Sequence, residues 1–306
     1  MKRIVAPIIF PIIKAMIWGS SFVAQSTSTE HVGALTFNAS RSAVAFFVLL
    51  LLVPLFRRFE HTNRPSPTPV QRKANFKHLI WGGFCCGTAL ALACNLQQLG
   101  LVAGASVGKT SFITTLYVVL VPICGLFLKK RVPLTVWFGV LLAVAGLYCL
   151  CINESFTIVF SDFLVLLCAF AYTLHILVID HFVERHNGVE LSCVQFFFTA
   201  IWSSIGMFVF EDPRWSNIMA CLGDILYVGI LSSCVAYTLQ IVAQKASRNP
   251  TVVTILLSLE SVFGVLSGAI FLHETLSTKE YVGCVLMLVA VLLAQLPSPS
   301  PKESIV

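Results

Sequence analysis

The hydrophobic positions of this chain form long unbroken runs rather than a regular alternation with polar positions. A transmembrane helix needs about 20 consecutive, mostly apolar residues, because that length covers the hydrocarbon core of a bilayer. Helices are predicted because the runs are continuous and because a helix satisfies its own backbone hydrogen bonds inside lipid. The pattern predicts ten spans, numbered one to ten in chain order: about 5–25, 33–56, 78–98, 106–128, 133–152, 158–179, 191–210, 222–243, 250–272 and 280–296.

Composition agrees with a chain that is solvated mainly by lipid. Of the 306 residues, 57% are hydrophobic and 11% are charged, whereas soluble domains average about 25% charged residues. The 11 cysteines lie almost entirely inside apolar runs, where cysteine behaves as a small hydrophobic residue. Their spacing matches no zinc or haem motif. The sequence therefore predicts no cofactor, no metal site and no nucleic-acid partner.

The connections between the spans are short and leave no room for a soluble domain. The longest is predicted to be a flexible loop over 57–77, where prolines stand among polar residues. A basic N-terminus before an apolar stretch is also typical of a signal peptide. Lys14 interrupts that stretch and many similar segments follow it, so the stretch is interpreted as span one.

Lysine and arginine are distributed unequally between the two sides of the predicted bundle. With the N-terminus in the cytoplasm, 15 of the 20 lie in cytoplasmic segments, while only Arg214 and Lys279 lie in outer loops. The remaining three, Lys14, Arg41 and Lys109, sit in or at the edge of spans. Because positively charged loops stay in the cytoplasm, both termini are predicted to be cytoplasmic, in a multi-pass protein of the cytoplasmic (inner) membrane.

The two halves of the chain resemble each other weakly. Residues 93–97 (ACNLQ) are similar to 236–240 (AYTLQ), and 137–142 (WFGVLL) to 281–286 (YVGCVL). Each half holds five predicted spans, and an odd number inverts the second half relative to the first, as in many secondary transporters. The predicted fold is an all-α integral membrane protein: ten transmembrane helices form two inverted five-helix repeats, 1–152 and 153–306, around a central cavity.

Several segments carry a resemblance to a known family. They are 17–25 (IWGSSFVAQ), 35–41 (LTFNASR), 111–122 (SFITTLYVVLVP), 259–263 (LESVF) and 272–276 (LHETL). On these segments the chain resembles the EamA branch of the drug/metabolite transporter (DMT) superfamily. The resemblance implies the ten-helix fold, a central cavity, and transport of small metabolites, often export of amino acids. Ser261 stands where the family usually has proline, which predicts a weaker kink in span nine.

Polar side chains inside lipid are costly and usually face a cavity or a polar partner. In span one, Lys14, Trp18, Ser21 and Gln25 fall on one helical face. The predicted substrate-binding residues, from six spans, are Trp18, Asn38, Arg41, Asn95, Tyr117, Tyr172, Tyr237 and Gln240. The amides are expected to hydrogen-bond a polar solute, the aromatic rings to stack on its planar or cationic part, and Arg41 to attract an anionic group. Helix packing is the alternative explanation of such residues.

Two titratable residues inside the spans, Glu260 and His175, are candidates for ion coupling. Glu260 is expected to carry a proton, to accept a hydrogen bond in its neutral form, or to pair with Lys14 or Lys109. Acidic residues near the ends of helices are interpreted as facing the membrane interface: Asp162, Asp224 and Glu274.

The predicted function is that of a secondary transporter, not an enzyme. It would move a small polar metabolite, such as an amino acid or a related compound, by alternating access. Its expected partners are this small-molecule substrate, the lipid bilayer and protons. A passive facilitator or channel remains an alternative, since it would need no coupling ion. A membrane-embedded enzyme is a further alternative, although it requires paired catalytic groups at one depth and the spans contain no clear pair.

Overall fold

The computed structural model describes residues 9–60, 69–127, 134–151, 158–183, 188–236, 239 and 259–294. Within these ranges the chain forms a helical bundle whose helices correspond to the ten predicted spans. Their bounds, in order from one to ten, are Phe10–Thr27, Ala34–Glu60, Pro69–Val102, Val107–Thr115 with Tyr117–Phe127, Leu134–Cys151, Phe160–Val183, Gly188–Phe210, Leu222–Leu226 with Tyr227–Val235, Leu259–Phe271 and Thr278–Ala294. The short helix Trp215–Ala220 precedes span eight.

Four of the described helices are long and apolar enough to cross a membrane by themselves: Ala34–Phe56, Lys73–Val102, Phe160–Ile179 and Gly188–Phe210. Shorter apolar helices occupy the positions of spans four, five, eight and nine. Large hydrophobic side chains such as Leu51, Phe208 and Phe210 are exposed on the outside of the bundle. An apolar exterior of this kind fits lipid as the surrounding solvent.

The predicted loop over 57–77 is shorter than expected. Span two continues as a helix to Glu60, and span three already begins at Pro69. Arginine and glutamate at the end of a span do not stop a helix, since both residue types have a high helix propensity. Proline at the first position of a helix is favourable, because its missing N–H would have no partner there. Pro69 therefore starts span three rather than extending the loop.

The helix contacts are preserved when the equivalent spans of the two halves are exchanged. Spans two and seven, four and nine, and five and ten pack against each other, and these are the equivalent spans of the two halves. The other large contacts occur in exchanged pairs: span three packs on six and seven, while span eight packs on one and two. Span one likewise packs on nine, and span six on four. The prediction of two related five-helix halves is thus confirmed, and the principal contacts lie between the halves.

Glycines allow these helices to approach closely, as is usual in membrane bundles. At Gly19 in span one, an added Cβ would lie 2.5 Å from Cβ of Phe263 and 2.8 Å from the carbonyl oxygen of Glu260. Gly146 in span five faces Met287 and Gly283 of span ten in the same way. The halves are therefore in backbone-to-backbone contact at these positions.

We expect Gly19→Ala to reduce folding of the purified protein, because the methyl group needs space that span nine occupies. Overpacking of this kind costs about 1–3 kcal/mol. The measurement is the monodisperse fraction and the thermal midpoint in detergent. Gly223→Ala is the matched control, since no atom of the described residues outside its own helix turn lies within 4 Å of an added Cβ there. Equal behaviour of the two variants would show that spans one and nine are not packed as described.

Candidate functional site

A cavity of about 320 Å³ lies between the two halves of the bundle. Its walls come from spans one to four and six to nine, so both halves contribute to it. Polar and charged side chains share the walls with aromatic and aliphatic ones. The lining residues are Lys14, Trp18, Ser21, Phe22, Gln25, Arg41, Leu90, Cys94, Gln97, Thr114, Tyr117, Val118, Val121, Tyr172, His175, Ile176, Ile179, Phe196, Ser232, Ser233 and Glu260.

The structure places several of the predicted site residues on this wall. Trp18, Arg41, Tyr117 and Tyr172 line the cavity, as do the two ion-coupling candidates, Glu260 and His175. Tyr237 and Gln240 lie outside the described residues.

Asn38 and Asn95, which are predicted to bind substrate, stand behind the wall instead. The Asn38 amide is fully buried; it donates to the carbonyl oxygen of Cys94 at 3.0 Å and to Oδ1 of Asn95 at 2.8 Å. Asn95 in turn contacts Oγ of Ser203 at 3.2 Å. A buried polar group is costly unless it is hydrogen-bonded, and these amides satisfy one another. They join spans two, three and seven.

A buried ion pair connects the two halves at the cavity wall. Nζ of Lys14 in span one lies 3.8 Å from Oε2 of Glu260 in span nine, and both side chains are almost inaccessible to solvent. At this separation the contact is electrostatic rather than a hydrogen bond. Among the described residues, none donates a hydrogen bond to Oε2 of Glu260. Of the pairings anticipated for Glu260, the one with Lys14 is therefore found.

Trp18 contacts two of the protein's own groups. Nζ of Lys14 lies 3.2 Å from the centre of the indole ring, which is a cation–π contact. The indole N–H donates to the carbonyl oxygen of Ser232 in span eight at 2.9 Å. Lys14 thus uses one face of the Trp18 ring, and stacking of the solute on Trp18 stays a prediction.

Span eight is wound as a π-helix where it borders the cavity. The π-helical segment is Tyr227–Val235, and side-chain bonds five residues back accompany it, from Ser233 to the Val228 carbonyl at 3.1 Å and from Cys234 to the Gly229 carbonyl at 3.4 Å. π-Helical segments occur frequently at functional sites, because the wider turn displaces backbone groups from the regular ladder. Here the segment carries Ser232 and Ser233 to the wall.

An aromatic row forms another part of the wall. The rings of Tyr117 and Tyr172 are 6.3 Å apart, and those of Tyr172 and His175 are 6.4 Å apart. Nε2 of His175 lies 3.1 Å from Oε1 of Gln195. His175 and Gln195 belong to spans six and seven, so this hydrogen bond stays within the second half.

Some cavity residues were not among the predicted substrate-binding residues. Gln97 lines the cavity and donates to Oγ1 of Thr114 at 3.0 Å, whereas the neighbouring Gln98 points to the Gln25 carbonyl at 2.7 Å. Neighbouring glutamines of one helix differ by about 100° in direction, and the sequence does not show which one faces the cavity. The common face of Lys14, Trp18, Ser21 and Gln25 in span one was the available signal, since all four line the cavity.

Polar contacts tie the halves together at the end of the bundle where span two begins. The carboxylate of Glu211, after span seven, accepts hydrogen bonds from the backbone N–H groups of Leu35 and Thr36 at 2.9 and 2.8 Å. The carboxylate of Glu274, after span nine, accepts from those of Val107 and Gly108 at 2.7 and 3.0 Å. Both acids thus cap the first turns of helices in the other half, where N–H groups lack partners.

Further ion pairs and hydrogen bonds reinforce the same end. Lys109 of span four lies 2.8 Å from Oε1 of Glu280 and 3.6 Å from Oδ2 of Asp162. Thr27 donates to Oδ2 of Asp224 at 3.0 Å. Asp162, Asp224 and Glu274 therefore do more than face the interface, because each contacts a residue of the other half. We call the contacts of Glu211, Glu274, Lys109 and Thr27 the end latch.

Comparison with known proteins gives a consistent result. Residues 5–152 and 159–296 each match the sequence model of the EamA-like transporter family. A protein of Archaeoglobus fulgidus described as an uncharacterized transporter is 28% identical over 312 residues, which cover 97% of this chain and 87% of that protein. The uncharacterized transporter YwfM of Bacillus subtilis is 26% identical, with 96% and 94% covered.

A solved structure supports the fold. It is described only as the crystal structure of a protein and superposes with a TM-score of 0.62 at 17% identity, covering 93% of this chain and 95% of the other. In the described parts of the chain, no group of three or more histidine, cysteine or acidic side chains is placed to hold a metal ion.

We expect Lys14→Met and Glu260→Gln each to lower the thermal stability of the purified protein, and the double variant to recover much of the loss. Removing one partner leaves an unmatched buried charge, a defect that costs up to about 3–5 kcal/mol, whereas removing both leaves none. Thermal unfolding of the wild type and the three variants gives the interaction energy between Lys14 and Glu260. Asp212→Asn, at an exposed acid, is the control. Additive losses would contradict the pairing.

Proposed function

We propose that this chain, which belongs to the EamA-like transporter family, is a secondary transporter that moves a small polar metabolite by alternating access. That the protein is a multi-pass membrane transporter follows from the family and its relatives. The nature of the solute and the mode of transport belong to the proposal. The observation that carries it is a polar, partly charged cavity between two equivalent halves.

The position of the cavity supports alternating access. In inverted-repeat transporters the substrate site lies where the repeats meet, and one half rocks against the other to expose it to either side. Here the main helix contacts run between the halves, and the end latch adds hydrogen bonds and ion pairs between them at one end of the bundle. Such polar contacts can be exchanged for water when one end opens.

Glu260 is the better placed of the two coupling candidates. Its contact with Lys14 joins spans one and nine, which belong to different halves, whereas the contact of His175 with Gln195 lies within the second half. Proton binding to the carboxylate would remove its attraction for Lys14 and so weaken a contact that rocking must change. We therefore propose that Glu260 carries the coupling proton.

The alternatives differ in what they require of this site. A passive facilitator needs the cavity but not a titratable contact between the halves, so the Lys14–Glu260 pair favours coupled transport. A membrane-embedded enzyme is disfavoured because the EamA-like family is one of transporters and not of enzymes.

The proposal also covers which membrane holds the protein, how the chain is oriented in it, and where the two repeats begin and end. We place the chain in the cytoplasmic membrane with both termini in the cytoplasm, on the distribution of lysine and arginine. The end latch then faces the outside. We divide the chain into repeats 1–152 and 153–306, a division that the exchanged helix contacts support.

The functional test is counterflow in proteoliposomes loaded in turn with amino acids, nucleosides and vitamins, with and without a proton gradient. We expect accumulation of a labelled solute, driven further by the gradient. Glu260→Gln should keep counterflow but lose gradient-driven accumulation, because the exchange reaction needs only the cavity whereas coupling needs the proton carrier.

His175→Gln is the matched control, since it removes the other titratable side chain of the cavity while keeping a hydrogen-bonding group. It should retain the response to the gradient. Flux that is independent of the gradient in the wild type would instead identify a facilitator. Absence of flux for every solute in folded protein would contradict the proposed function.

Orientation has its own measurement. Single cysteines placed next to Arg214 and next to Lys130, in a background without exposed cysteine, are labelled in intact cells with a membrane-impermeant maleimide. We expect labelling beside Arg214 only, because its loop lies outside and that of Lys130 lies in the cytoplasm. The reverse pattern would invert the proposed orientation.

A further inference from the structure

Two cations, Lys14 and Arg41, are among the described residues that line the cavity, and they differ in how their charge is matched. Lys14 lies beside Glu260. Arg41 has no acidic group within ion-pair distance in the part of the chain that the structure describes. Its side chain is nevertheless only 6% exposed. A buried cation without a counter-charge is expensive inside a membrane and is usually retained for function.

The surroundings of Arg41 hold its guanidinium group in one orientation. Nε donates to Oδ1 of Asn38, one helical turn earlier in span two, at 2.6 Å. Asn38 is itself fixed by Cys94 and Asn95 of span three. The centre of the Phe37 ring lies 5.9 Å from Cζ of Arg41. Arg41 is therefore preorganised, since its acceptor Asn38 is itself anchored on span three.

The remaining donors of the guanidinium are its two Nη groups. Among the described residues, none accepts a hydrogen bond from them, and Arg41 borders the cavity. A guanidinium fork matches the two oxygens of a carboxylate, which it binds by two parallel N–H···O bonds. Because Nε is already used, the carboxylate must bind end-on to both Nη groups.

We propose that Arg41 is the anion-binding residue of the cavity and that the transported solute carries a carboxylate, bound end-on by its two Nη groups. This inference rests on the proposed function and narrows its solute to a chemical class. The charge balance supports it: Lys14 and Glu260 offset each other, so Arg41 leaves the lining that the structure describes with a net positive charge. A purely cationic solute would meet an unfavourable field there.

Thermal stabilisation of the full-length protein in detergent tests the proposal with matched probes. Each small carboxylic acid is compared with its own primary amide, from acetate and acetamide through benzoate and benzamide to tryptophan and tryptophanamide. We expect acids of suitable size, but not their amides, to raise the unfolding temperature. Arg41→Gln should weaken this binding by about 10- to 100-fold, the range expected for lost hydrogen bonds to a charged group.

Two further variants make the result specific. Arg41→Lys keeps the charge but lacks the fork, so it should bind more weakly than wild type and more tightly than Arg41→Gln. Arg214→Gln removes an arginine that is largely exposed and pairs with Asp212, and it should bind as wild type does. Size-exclusion profiles establish that each variant is folded. If Arg41→Gln fails this criterion, the comparison of Arg41→Lys with wild type decides.

The proposal is overturned if amides stabilise the protein as well as acids, if folded Arg41 variants bind acids normally, or if no acid binds at millimolar concentration. Counterflow of the bound acid separates this result from the proposed function. Binding through Arg41 without flux would remove the transport proposal and leave the anion site. Flux of neutral or cationic solutes that is unchanged in Arg41→Gln would remove the anion site and leave the transport proposal.

Discussion

A charged side chain inside a bilayer has no water to solvate it, and most of this structure follows from how the protein meets that constraint. Lys14 is matched by Glu260 and by the Trp18 ring. Arg41 is held by the Asn38 amide, which Cys94 and Asn95 of span three fix. Polar interior groups therefore do two things at once. They join helices that belong to different halves, and they give the cavity between those halves its charge.

The contacts around this polar interior are of two physical kinds. At the latch end, acids cap helices of the opposite half and Lys109 contacts two carboxylates. Further along the cavity, the wall includes aliphatic side chains such as Ile176, Ile179 and Val121. Hydrogen bonds and ion pairs have defined geometry and can be replaced by water, whereas apolar packing tolerates sliding. A rocking movement of the halves would use both kinds of contact.

The proposals for Glu260 and Arg41 assign separate tasks to neighbouring charges. Glu260 spans the boundary between the halves, so its state of charge affects their relative position. Arg41 is bound within a network of spans two, three and seven, so its position depends on that network rather than on the Lys14 contact. Separation of this kind lets a coupling ion and a solute act on one cavity without competing for one side chain.

The sequence by itself determined the ten spans, the two related halves and much of one cavity wall. These features depend on residues that are close together in the sequence: long apolar runs, charges in loops, and a polar face in span one. Only the tertiary structure decided that Asn38 and Asn95 stand behind Arg41, that Lys14 covers Trp18, and that Glu211 and Glu274 cap helices of the other half. Which polar groups become partners depends on which helices meet and on how each helix is rotated about its axis. Close packing sets both the pairing and the rotation at positions such as Gly19. The residues that pack there are far apart in the sequence.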